Sequence, residues 1–90
     1  MKYVLFYQSS PDVATLAPVH GPAHRAYWKD FLTDGTLLMI GPFADRAGAL
    51  GIFTTRDAAE SFAKHDPFVL NGVVTHWSVR EWAECIVPES

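Results

Sequence analysis

The segment Lys2-Tyr3-Val4-Leu5-Phe6-Tyr7-Gln8 is apolar at odd and even positions alike. Its β-branched and aromatic content marks a strand. Strand side chains alternate between the two faces of a sheet, so this one requires cover on both sides. The run Thr36-Leu37-Leu38-Met39-Ile40 makes the same demand. Ninety residues leave room for one core, so the expectation is a single domain over residues 1–84 with a polar tail at 85–90. Hydrophobic residues make up 49% of the chain and charged residues 19%. That is more apolar surface than a domain this small hides alone, and part of it is expected to face a partner.

Several function classes fall away on composition. The formal charge is −3, and the seven Lys and Arg residues are scattered singly, so there is no basic stripe to meet a phosphate backbone and no nucleic acid is expected as a ligand. Cys85 is the one cysteine, which excludes an internal disulfide and fits a reducing, cytoplasmic setting. The first apolar run is too short for a signal-peptide core, and no segment reaches the ~20 apolar residues of a membrane-spanning helix. No membrane partner is expected.

Local signals order the elements. Ser10-Pro11-Asp12 suggests a short helical turn over residues 11–17, ended by Pro18. The main first helix is expected to start between Pro18 and Pro22 and to stop near Asp34-Gly35. The second strand closes at Gly41-Pro42-Phe43, Asp45-Arg46-Ala47-Gly48 turns the chain, and Ala49 to Thr54 returns as a third strand. Thr55 caps a second helix that runs to about His65, where Asp66-Pro67 stops it. Residues 67–72 read as a loop, and Val73 to Trp82 as the last strand. The order βαββαβ predicts a ferredoxin-like α+β fold, with both helices on one face of a four-stranded antiparallel sheet. The other face then carries apolar side chains too, and a homodimer joined through this helix-free face, a dimeric α/β-barrel, would cover them.

Helical spacing supplies the candidate chemistry. Positions 24, 27, 28 and 31 share a face, so His24 points inward with Tyr27, Trp28 and Phe31, away from Arg25 and Lys29. Positions 59, 62, 63 and 66 form the corresponding stripe on the second helix and place Asp66 inward. A histidine and a carboxylate converging on the same side of a sheet are an acid/base pair in form, the carboxylate orienting the imidazole. The same two residues also suit a satisfied core histidine and a helix-stopping aspartate. His20 and His24 are four apart, as two metal ligands can be, but Gly21-Pro22 interrupts the spacing and no third ligand is evident. Capping is the expected role of His20, and neither a metal nor an organic cofactor is expected.

Gly41-Pro42-Phe43 either lets a ligand approach the backbone or is a strand-ending bend. His76 and Arg80 lie on one side of the last strand, opposite Trp77 and Val79, where they either meet an anionic substrate or form a hydrated face. Trp28, Trp77 and Trp82 are expected in the core or an interface, and no base is evident beside Cys85.

Ala23-His24-Arg25, Gly35 with Leu37-Leu38-Met39-Ile40, Gly41-Pro42-Phe43, Asp45, Gly48, Asp66-Pro67-Phe68-Val69, Gly72-Val73-Val74 and Val79-Arg80-Glu81-Trp82 follow one another in an order that resembles the YCII-related (YciI-like) family. The resemblance spans nearly the whole chain. It implies a ferredoxin-like dimeric fold, also seen in muconolactone isomerase-like proteins, with His24 and Asp66 as an active-site pair beside a cleft. It further implies elimination-like acid/base chemistry on small cyclic or aromatic compounds, with no required cofactor.

Two functions follow as expectations. One is a cofactor-independent lyase or isomerase in which His24 moves a proton, Asp66 holds its tautomer, and Gly41, Pro42, Phe43 and Phe68 shape the pocket around the substrate. The other is a non-catalytic accessory or binding domain that captures a small molecule in the same cleft. A third, a cofactorless oxygenase, has no sequence feature that singles it out.

Overall fold

Strand β1 (Lys2–Ser9) is hydrogen-bonded along both edges, and its alternating side chains reach both faces of the sheet. In the computed structural model, which describes residues 1–85, it is followed by α1 (Val13–Thr33), β2 (Leu37–Pro42), β3 (Gly48–Phe53), α2 (Arg56–His65), the single turn α3 (Pro67–Leu70) and β4 (Val74–Trp82). The strands lie in the order β2-β3-β1-β4 with every neighbouring pair antiparallel, the ferredoxin-like α+β arrangement expected from the sequence. The tail expected at 85–90 lies outside the described residues beyond Cys85, which is exposed.

Leu5 and Tyr7 of β1, Leu37 of β2 and Phe53 of β3 point to the helices and meet Ala59, Phe62 and Ala63, the predicted inner stripe of α2. Phe31, Tyr27 and Phe53 surround Phe62 with ring centroids 5.0–5.2 Å away. Phe53 and Phe62 are fully buried, and burial of each contributes about 1.5–3 kcal/mol. On the opposite face Val4 and Phe6 line a shallow groove with Leu50, Ile52 and Trp82.

α1 differs from the sequence expectation. It is one helix of 21 residues with Pro18 and Pro22 inside it, where a short turn and a later start were expected. Each proline removes one helical hydrogen bond and costs about 3 kcal/mol in a helix interior. The loss is offset because the C-terminal half is clamped to the core through Tyr27, Trp28 and Phe31. His20 therefore sits mid-helix and caps nothing, and Gly21-Pro22 does not break the spacing to His24.

α2 starts as predicted, with Thr55 Oγ1 accepting from the Ala58 amide at 3.1 Å and Asp57 in the first turn. The stretch expected to be a loop after Asp66 contains α3 instead. Asp66 caps it, with Pro67 at a first-turn position, so one dipeptide ends α2 and begins the next turn. In the β2–β3 hairpin, Gly48 passes so close to β1 that a Cβ there would stand 2.2 Å from the Tyr7 carbonyl oxygen. The tip of that hairpin carries Arg46 at φ +63°, a conformation that costs a non-glycine residue about 1–2 kcal/mol.

Candidate functional site

His24 and Asp66 come together, His24 from a helical face of α1 and Asp66 from the extended position just past the end of α2. α1 delivers the imidazole and the α2–α3 junction delivers the carboxylate, and His24 Nδ1 lies 2.7 Å from Asp66 Oδ1. The Asp66 side chain is fully buried, whereas that of His24 is 14% exposed. Two further donors converge on the carboxylate. The Phe68 amide donates to Oδ1 at 3.0 Å, and the Tyr7 hydroxyl donates to Oδ2 at 2.7 Å. An ionised carboxylate only accepts hydrogen bonds, so His24 joins this network by carrying its proton on Nδ1. Nε2, with its lone pair, is the ring nitrogen left for the adjoining cavity, which His24 helps to line. Phe68 stacks on the imidazole with centroids 3.9 Å apart and planes 8° from parallel, which holds the ring in one plane and places a π face beside any positive charge it gains.

The cavity measures about 450 Å³, within the range of small-molecule sites. Val13, Ala17, Trp28, Ile40 and Ala49 supply apolar wall, with Gly41, Pro42 and Phe68 beside them as the sequence suggested. Phe43 is a correction. It is absent from the cavity lining; its ring packs beside Gly48, to whose carbonyl its amide donates at 2.8 Å. His76 and Arg80 are also elsewhere. The strand alternation that packs Trp77 and Val79 into the core sends them to the helix-free face. Among the described residues no group of three His, Cys, Asp or Glu side chains could hold a metal.

Tyr7, Arg25 and Arg46 were not singled out from the sequence, yet all three line the cavity. Tyr7 carried a usable signal, since a tyrosine on an interior strand requires a partner for its hydroxyl. Arg25 was expected to point away with Lys29, but it folds back along α1 toward Gly21.

Burial, together with the Asp66 charge and hydrogen bond, holds the Tyr7 phenol far above its ordinary range, and burial followed by the Asp66 charge pushes Tyr27 up to about 12. An unfolded tyrosine ionises near pH ~10, whereas folded Tyr7 keeps its proton there. Above that pH the folded state binds more protons than the unfolded one, so stability is constant with respect to Tyr7 below about pH 10 and falls above it, by at most about 1.4 kcal/mol per pH unit. Urea midpoints measured from about pH 8 upward should bend downward beyond about pH 10, and less steeply in Tyr7→Phe. Identical alkaline slopes in the two proteins would contradict this account.

Residues 1–83 match the family described as the YCII-related domain. The chain is 32% identical over 92 residues to Protein YciI of Escherichia coli O6:H1, and to the same degree to Protein YciI of Shigella flexneri, covering 89% of this chain and 94% of each relative. Among solved structures, it is similar in fold to 5-chloro-2-hydroxyhydroquinone dehydrochlorinase (TftG) from Burkholderia phenoliruptrix in complex with 2,5-dihydroxybenzoquinone. The TM-score is 0.76 at 21% identity, covering 94% of this chain and 96% of the other. No helix among the described residues is long and apolar enough to cross a membrane.

Proposed function

The chain belongs to the family of YCII-related domains, and on that premise we propose that it is a cofactor-independent lyase or isomerase acting on a small cyclic or aromatic metabolite. The observation that carries this reading is the His24–Asp66 pair, 2.7 Å apart, with Asp66 sealed from solvent and His24 open to an apolar cavity. His24 Nε2 takes a proton from an acidic C–H of the bound ring. Asp66 balances the charge that appears on the imidazole, and Tyr7 and the Phe68 amide keep the carboxylate from rotating. The electron pair of the broken C–H bond then forms a double bond as a leaving group departs from the neighbouring carbon with its own pair. In the isomerase variant Nε2 returns the proton to a different carbon. Gly41, Pro42 and Phe68 shape the substrate's surroundings. The related fold of a dehydrochlorinase that holds a quinone supports this substrate class.

One observation favours the alternative of a non-catalytic binding or accessory domain: every acceptor site of Asp66 used here is satisfied within the fold, as a purely structural network also requires. Incubation of the protein in D₂O with a panel of ring compounds bearing acidic C–H bonds separates the two. Catalysed deuterium uptake is expected. Binding without uptake across the panel would leave only the binding domain.

The proposed working form is a homodimer joined through the helix-free face. Val4, Phe6, Leu50 and Ile52 line its groove, and Met39 and Trp82 are 60% and 49% exposed there. Apolar surface of this kind in water favours association. Sedimentation at micromolar concentration should give a dimer, and Ile52→Glu should shift it to monomer. A stable monomer of the unmodified protein would refute the interface.

A further inference from the structure

We propose that the cavity selects an anionic ring compound, its carboxylate held by Arg25 and Arg46 while the ring lies along the apolar wall beside His24. This names the substrate class of the site proposed above and rests on that reading. The chain as a whole is negative, with a formal charge of −3, yet two of its seven Lys and Arg side chains line this one cavity and no Asp or Glu does among the described residues. Neither guanidinium pairs with a carboxylate among the described residues. Both cations are therefore available to a ligand.

The backbone is arranged around each of them. Gly21 is buried in the middle of α1, where glycine is a poor helix former, and a Cβ there would stand 3.1 Å from Arg25 Nη1. The missing side chain leaves the guanidinium room to lie back over the helix at the cavity. Arg46 holds φ +63° at the hairpin tip, a position at which glycine or asparagine would be relaxed, and it is an arginine that occupies it. The turn bond from the Arg46 amide to the Phe43 carbonyl, at 2.9 Å, holds it there, and its side chain joins the cavity lining. Val13 and Ala14, in the first turn of α1, line the same cavity, while the carboxylate at that end of the helix, the N-cap Asp12, is not part of its lining. A guanidinium pairs with a carboxylate through parallel N–H donors, and more strongly beside an apolar wall than in open water.

Titration of the ¹⁵N-labelled protein with benzoate, benzamide and benzylammonium at pH ~8, where an ordinary histidine is neutral, tests this by binding alone. Benzoate should shift the amides of Ala17, Gly21 and Gly41 with a dissociation constant at least tenfold below that of benzamide, and benzylammonium should shift none of them. Arg25→Gln and Arg46→Gln should each weaken benzoate, and the double variant should bind benzoate no better than benzamide. Equal affinity for benzoate and benzamide, no shift with benzoate at millimolar concentration, or a preference that survives in the double variant would overturn the proposal. The deuterium experiment fails separately. A charge preference without proton exchange leaves the anion site and removes the lyase reading, whereas exchange without a charge preference does the reverse.

Discussion

His24→Ala is expected to lower catalysed deuterium exchange by ~10²–10⁴-fold, the usual contribution of a general acid or base, while the protein stays folded. The loss follows from geometry. Nε2 is the ring nitrogen that Asp66 leaves unengaged, on a residue that lines the cavity, so the substitution removes the proposed base. The fold should survive because Asp66 keeps the Tyr7 hydroxyl and the Phe68 amide as donors. Losing one hydrogen bond and one stacked ring costs about 1–3 kcal/mol, against a total stability of about 5–15 kcal/mol for a domain of this kind. Exchange rates and a urea unfolding curve on the same sample provide the check. A folded alanine variant with undiminished exchange would remove His24 from the chemistry.

Two substitutions at Asp66 are expected to part company. Asp66→Ala leaves the buried Tyr7 hydroxyl and the Phe68 amide without an acceptor, at about 1–3 kcal/mol each, the second of these being the bond that caps the α2–α3 junction. The loss of about 2–6 kcal/mol is a substantial part of a total of about 5–15 kcal/mol, and the soluble yield should fall with it. Asp66→Asn keeps the size of the side chain and can still satisfy its neighbours, so the protein should fold. It loses the negative charge that balances a protonated His24 and that holds the neutral ring in the Nδ1–H tautomer, so exchange should drop by a factor comparable to that of His24→Ala. Thermal melts together with exchange rates read both effects. Equal activity in folded Asp66→Asn would show that the carboxylate serves the fold alone.

The effects at Asp66 are expected to exceed those at Gly41 or Pro42 for a physical reason. One carboxylate joins β1, α1 and the α2–α3 junction through three hydrogen bonds, so the proposed chemistry and the packing of the helices share an atom group. Gly41 and Pro42 are apolar parts of the cavity lining, and a change there alters shape without stranding a buried side-chain polar group.

Local pattern was enough for the framework of this protein. The two-sided apolar character of Lys2 to Gln8 marks a central strand before any partner is known, because alternation and burial act residue by residue. The stripe Ala59, Phe62 and Ala63 and the inward turn of His24 follow from 3.6 residues per turn, whereas Asp66 stands just past the end of α2 in an extended conformation, and its cap to the Phe68 amide turns it inward. What depends on distant parts of the chain meeting was out of reach. Pro18 and Pro22 are local helix breakers, and only the packing of Tyr27, Trp28 and Phe31 against the core makes α1 continuous through them. Tyr7 reaches Asp66 across 59 positions of sequence, and Arg46 joins the cavity that His24 lines from the tip of the β2–β3 hairpin. Phe43, two residues from the cavity wall at Gly41, stands outside the lining with its ring beside Gly48. Sequence periodicity determines which way a side chain faces on its own element; the tertiary structure decides what it faces, because that depends on where the other elements come to rest.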